Sequence, residues 1–190
     1  MRTRRAFIPP RRPIFIGCEG ESEQGYAGFL QDLVREADLP VHLMIEVLGP
    51  GAGDPLSRVE MAVRKLAHLR RTRAAPVERF VLLDTDQAEM DRDRAERARR
   101  LAGQEGIQIV WQEPCFEALL LRHFPNRAAN RPPDNQAAQR AIEREWAGYA
   151  KPASRAELAR RVDLQGVVRA SAVEPDLKAM LRCIGLIGEN

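Results

Sequence analysis

Two aspartates one residue apart, Asp84 and Asp86, close the apolar segment RFVLLDTDQ at 79–87. Earlier in the chain, PIFIGCEGE at 13–21 ends a second apolar run in Glu19, Gly20 and Glu21. Carboxylates crowded into one place repel one another and raise each other's pKa values unless a cation compensates them. Mg2+ suits such a place, because it takes oxygen ligands, keeps several waters and binds through a few carboxylates plus substrate phosphate. Glu19, Asp84 and Asp86 are therefore the candidate ligands for Mg2+ (or Mn2+), provided that the fold brings the two segments together. Gly20 suits the same chemistry, since a residue without a side chain lets a ligand approach the backbone. Aspartate also opens many loops after strands. The weight rests on the pairing of the two segments and not on either alone.

A further acid, Glu117, stands in the first turn of a helix expected over 114–124, PCFEALLLRHF, which opens on a proline tolerated there. It reads either as an acid favoured by the helix dipole or as another carboxylate at the same place. His123 lies six residues on, about 9 Å along the axis and rotated away, so the two do not share a ligand. Packing beside Phe116 and Leu120 is its plain structural role. Cys18, Cys115 and Cys183 form no CxxC pair and read as buried or bland thiols, not as a zinc site.

The elements that must position these groups follow from apolar periodicity. Strands are expected at 13–18, 41–48, 80–83 and 107–111. Between them, helices are expected at 22–37 with Ser22 as N-cap, at 56–71, and at 87–104, where acids and arginines alternate. Beyond Pro125, helices are expected at 136–146, 154–162 and 171–186. Alternating strands and helices imply an α/β fold with a mostly parallel four-stranded sheet. Residues 1–12 form a basic tail, 13–125 the α/β core and 126–190 a helical C-terminal appendage. Sites in such sheets gather at the carboxyl ends of the strands, where both acidic segments fall.

The chain has 190 residues, 44% of them hydrophobic and 30% charged, which excludes a disordered composition and leaves room for a proper core. No run reaches the roughly 20 apolar residues of a bilayer span. The basic N-terminus has no apolar secretory core. A cytoplasmic location is expected. The net charge is only +3, yet arginines cluster locally: Arg2, Arg4, Arg5, Arg11 and Arg12, then Arg58, Arg64, Lys65, Arg70, Arg71 and Arg73. These runs suit either solvated surfaces or contacts with phosphates of DNA or RNA.

The EG after the first strand and the DxD after the third resemble the Toprim signature of topoisomerases, bacterial primases and OLD-type nucleases. More closely, CEGESEQGY at 18–26, LLDTDQ at 82–87, PCFEALLLRHF at 114–124 and YAK at 149–151 resemble the RloB-like family. That family is Toprim-related and encoded beside restriction-modification and abortive-infection loci, often next to an AAA-type ATPase. The resemblance spans about residues 13–151. It implies that Glu19, Asp84 and Asp86 match the Toprim acids, that Glu117 and His123 match the family's own helix, and that Lys151 matches its late lysine. Glu23 stands off its family counterpart, and members tend to carry an aromatic where this chain has Ala118 or Leu119.

The expected activity is a metal-dependent phosphodiesterase in antiphage defence, with Glu19, Asp84, Asp86, Glu117 and Lys151 at the reaction centre. Arg11, Arg12, Arg64, Arg70 and His123 are the expected nucleic-acid contacts, and self-association is open. A second reading is a non-catalytic subunit that binds nucleic acid or nucleotide and partners an ATPase. A phosphatase using Asp84 as nucleophile is a third, although haloacid-dehalogenase-like enzymes carry that motif on their first strand.

Overall fold

The computed structural model describes residues 11–49, 53–72 and 75–188. Arg2, Arg4, Arg5 and Arg73 lie outside them. Strands β1 (Arg12–Cys18), β2 (Val41–Val47), β3 (Glu78–Asp84) and β4 (Gln108–Gln112) form one sheet in the order β2-β1-β3-β4. All three pairings are parallel. The fold is thus α/β and Rossmann-like, with helices against both faces of the sheet.

Residue parity sets the two faces, because successive strand side chains point to opposite sides. Ile14, Ile16 and Cys18 of β1 and Phe80 and Leu82 of β3 face one core. That core also takes Tyr26, Phe29, Leu30 and Val34 of α1 (Glu21–Glu36). Phe15, Val81 and Leu83 face the other. There they meet α2 (Pro55–Thr72) through Leu56, Val59, Leu66 and Leu69, and α4 (Arg92–Gln104) through Ala98 and Ala102. A strand covered on both sides is apolar throughout, as IFIGC and FVLL are.

Local side-chain chemistry moves several boundaries. Helix α1 starts one residue before Ser22: Gly20 is the N-cap, and its N–H donates to the Glu23 carboxylate at 2.9 Å. Ser22 instead accepts from the Ala153 N–H at 3.3 Å. The helix expected over 87–104 is two, α3 (Asp86–Met90) and α4, because the Asp91 carboxylate accepts from the Arg94 N–H at 3.0 Å and starts a new helix. Helix α5 is short (Phe116–Leu121), and Pro114 lies ahead of it. The helix expected over 171–186 begins later, as α9 (Pro175–Ile184) with Pro175 in its first turn, and a helix not expected from the sequence, α8 (Leu164–Ser171), precedes it.

The helices after residue 125 share the first core. Besides α8 and α9 these include α6 (Asn135–Glu145) and α7 (Arg155–Arg161). Ile142, Trp146, Tyr149, Leu158, Val162, Val167, Leu177 and Leu181 pack in the same cluster as α1 and the sheet. Close approach fixes Gly25: a Cβ there would stand 2.2 Å from the Ala153 carbonyl oxygen, a backbone atom that cannot swing aside. Among the described residues, no helix is long and apolar enough to cross a membrane.

Arg122 ties this assembly together. Its fully buried guanidinium lies 2.8 Å from Glu174 and donates to the carbonyls of Glu113 at 2.7 Å and Asn130 at 3.1 Å. Breaking a buried pair strands the remaining charge at a cost of about 3–5 kcal/mol. Arg122→Ala is accordingly expected to lose that much unfolding free energy in a urea titration, with a lower midpoint. An unchanged midpoint would show that the guanidinium contributes little.

Candidate functional site

Strands β1 and β3 are direct neighbours, with Cys18 opposite Leu82. Both acidic segments therefore leave the sheet side by side at its carboxyl edge. The contact is direct: the Glu19 carboxylate accepts from the Asp84 backbone N–H at 3.0 Å. Asp86 is aimed by its own surroundings. One of its oxygens accepts from the Gln87 N–H and the other from the Asn135 side chain at 2.6 Å. The Pro114 carbonyl accepts from the N–H groups of Thr85 and Asp86, at 3.1 and 3.2 Å, and pins the DTD turn to the segment after β4.

Glu117, at the head of α5, is 1% exposed. Tyr149 donates its hydroxyl to one carboxylate oxygen at 2.9 Å, and the Lys151 ammonium lies 2.8 Å from the other. Both ends of the YAK segment thus meet the glutamate of PCFE. Lys151 keeps about half of its side chain exposed (54%), so its charge reaches solvent at the rim.

Burial and crowding govern the titration of this edge. Burial, together with the charges of Glu23, Glu19, Asp86 and Glu117, pushes the Asp84 carboxyl up to about 9. Burial raises Glu19 to about 7, opposed by the Asp84 N–H and the Arg58 charge and aided by Glu23. Burial also raises Glu23. Lys151 is raised in the other sense: burial works against its charge, and the hydrogen bond and charge of Glu117 outweigh it.

Sequence reasoning missed two members of the cluster. Glu23 is 6% exposed and couples to Asp84 and Glu117, but its place three residues after Gly20 reads as helix capping, which it also performs. Arg58 is counted in the sequence as one of a basic run. In the fold its buried guanidinium lies 3.9 Å from Glu19 and against Gly49 and Gly53, where any Cβ would come within 3.0 Å of it. Glycines ahead of an aspartate just before a helix are the signal that could have found it.

Other expected contacts fall elsewhere. His123 is buried in the core, its Nε2 2.9 Å from the Tyr26 hydroxyl and its Nδ1 3.0 Å from the Leu119 carbonyl. An imidazole so enclosed touches no polyanion, which corrects its assignment as a nucleic-acid contact. Arg11 and Arg12 sit at the amino end of β1, where Arg11 approaches Asp38 at 3.7 Å and Arg12 donates to the Cys183 carbonyl. A seven-residue strand separates them from the acids, about 20 Å at 3.3 Å per residue. Arg70 lies twelve residues along α2 from Arg58, about 18 Å at 1.5 Å per residue. Arg64 is exposed midway. None of these four arginines lines the acidic edge.

The donor set suits a hard cation in kind. Every candidate ligand is a carboxylate oxygen, and Asp84 Oδ1 is buried without a hydrogen-bond partner among the described residues. In position the set is drawn apart, and among those residues no three such groups stand ready to hold one ion. The reason is visible in the partners: Glu19 is held by Asp84 and Arg58, Glu23 by Gly20, Asp86 by Asn135, and Glu117 by Tyr149 and Lys151.

Fold and site together define an α/β protein with a buried acid cluster at the carboxyl edge of a parallel sheet. The family model for RloB-like protein matches residues 14–174, and the chain belongs to that family. Comparison with curated proteins and with solved structures gives no match.

The raised carboxyls have a measurable consequence. A folded-state pKa above the unfolded value gives stability that is complete below the unfolded pKa and is lost as pH rises through the folded one. For Asp84 that window runs from about 4 to about 9. His123, lowered by burial to about 4, acts in the opposite direction, but only below its ordinary value of 6.5. Between pH 7 and 9 the wild-type melting temperature should therefore fall, and Asp84→Asn should melt higher by a margin that widens with pH. Parallel curves across that range would remove Asp84 as the strained group.

Proposed function

We propose that this chain is a Mg2+-dependent (or Mn2+-dependent) phosphodiesterase acting on DNA or RNA, in the antiphage setting that the family resemblance implies. The observation that carries this reading is the meeting of Glu19 with Asp84 at the carboxyl edge of the sheet, amid acids whose pKa values burial and mutual repulsion raise. Glu19, Asp84 and Asp86 would hold the ion, with Asp84 Oδ1 already lacking a partner among the described residues. Bound there, it would supply positive charge to phosphate oxygens and lower the pKa of water.

The chain's own groups have roles around it. Glu117, itself oriented by Tyr149, holds the Lys151 ammonium at the rim, where it can meet a phosphate oxygen as a point charge. Arg58 holds Glu19 from the α2 side. Glu19, near 7, suits either metal ligation or the movement of a proton within hydrogen-bond reach.

A second reading, a binding platform that turns nothing over alone and works with an AAA-type ATPase, is favoured by one observation. Each acid is held by its own partners, and among the described residues no three converge on one point. One experiment separates the two. Single-stranded DNA, duplex DNA and RNA are each incubated with wild type and Asp84→Ala over a titration of Mg2+ and Mn2+. The phosphodiesterase reading expects cutting that requires the ion and slows about a hundredfold or more in the variant. Cutting at the parental rate by Asp84→Ala would sink it, and binding without turnover on every substrate would leave the platform.

A further inference from the structure

The acidic edge carries few cations with which to hold a polyanion, and the arginine runs singled out in the sequence lie elsewhere. A different set of arginines lines one concavity. A cleft of about 280 Å³ opens where the segment after α5 meets α7 and α8, lined by Phe124, Pro125, Arg160, Arg161 and Arg169. Most arginines that this fold brings near a carboxylate are paired with it: Arg94 with Asp54, Arg122 with Glu174, Arg127 with Glu145 and Arg155 with Asp32. Among the described residues, none of the three cleft arginines has a carboxylate within 4.0 Å.

Their anchors are neutral. Arg160 donates Nε to the Ala156 carbonyl at 3.0 Å, Arg169 donates to the His123 carbonyl, and Arg161 lies over the Trp146 ring at 5.9 Å. A guanidinium carries about five N–H donors, so each keeps most of its donors after these contacts. The acid within the cleft, Asp163, is engaged by the Gly166 N–H at 2.7 Å as the cap of α8. A cavity among α3, α4 and the end of β4 makes the contrast: its Arg92 and Arg99 face Glu89, Glu96 and Glu113.

We infer that the α5–α7–α8 cleft is a phosphate subsite, and that its occupant is a backbone phosphate of a single-stranded polynucleotide whose reacting phosphodiester lies at the acidic edge. This rests on the phosphodiesterase reading for the identity of the ligand, not for the site itself. The spacing fits. Phe124 in the cleft wall follows Glu117 by seven residues, the last three past the end of α5, so the chain between them spans at most about 25 Å, which a strand crosses in a few nucleotides. Guanidiniums held by neutral groups offer bidentate donors to phosphate without first breaking an ion pair.

The test measures binding of a fluorescent single-stranded oligonucleotide of about twenty bases to the full chain in EDTA, as a function of salt. Arg160→Gln with Arg161→Gln should weaken binding about tenfold and lower the salt slope by about 0.7, the value for one lost phosphate contact. Arg160→Lys with Arg161→Lys should retain most of the slope. Arg97→Gln with Arg100→Gln, an equal charge change on exposed α4, should alter neither.

Equal losses in the cleft and α4 variants, or no loss in the cleft variant with its melting temperature intact, would overturn the subsite. So would arginine-dependent binding of pyrophosphate or a nucleoside triphosphate by a protein that ignores the oligonucleotide, because the occupant would then be a small phosphate. A wild type that cuts with Mg2+ yet binds equally well without the two arginines loses the subsite and keeps the proposed activity. One that binds through them and cuts nothing does the reverse.

Discussion

The carboxylate of Glu19 accepts a hydrogen bond from the backbone of Asp84, and the acidic edge is organised around that contact. It exists because β1 and β3 are adjacent and parallel, so two chain segments distant in sequence exit the sheet at the same height. It also sets the energetic problem that the surrounding structure addresses. A carboxylate held on a backbone amide beside a second, half-buried one must be balanced from outside the pair, and the neighbouring elements each supply something: Arg58 from α2, Asn135 from α6, and Tyr149 with Lys151 after it. The fold surrounds the acids with partners drawn from almost its whole length.

Much of this architecture is legible in the amino-acid sequence, for a physical reason. Strands buried on both faces read as short unbroken apolar runs, and IFIGC, VHLMIEV, FVLLD and QIVWQ stand out against charged helices. The strand ends then direct attention to Glu19, Asp84 and Asp86, since turns at the carboxyl edge share one place. Hidden from the sequence are features decided by side-chain competition with the backbone. Asp91 breaks a helix that apolar spacing alone would continue, the Asp163 cap starts α8 where no helix is expected, and Glu23 serves a cap and an acid cluster at once.

Arginines illustrate the limit of reading charge from a one-dimensional run. In the sequence, Arg58 and Arg70 belong to one basic stretch. In space, one is enclosed beside Glu19 while the other lies near the opposite end of the same helix. His123 shows the same limit for a residue with chemical potential: Tyr26 from CEGESEQGY and the imidazole from LLLRHF meet edge to face at 5.4 Å between ring centres. Two segments of the family resemblance are thereby joined through the interior, not at the surface. Arg122, beside His123 in the sequence, is likewise a clasp between loops and α9.

The sharing of one core between the sheet and the helices after residue 125 bears on how such a chain can vary. A protein whose later half merely decorated a finished domain could lose or exchange that half and retain its chemistry. Here a stop codon or proteolytic cut near Pro125 would uncover an apolar sheet face and deprive Glu117 of both of its partners in one event. The interior and the acidic edge therefore depend on the same later helices.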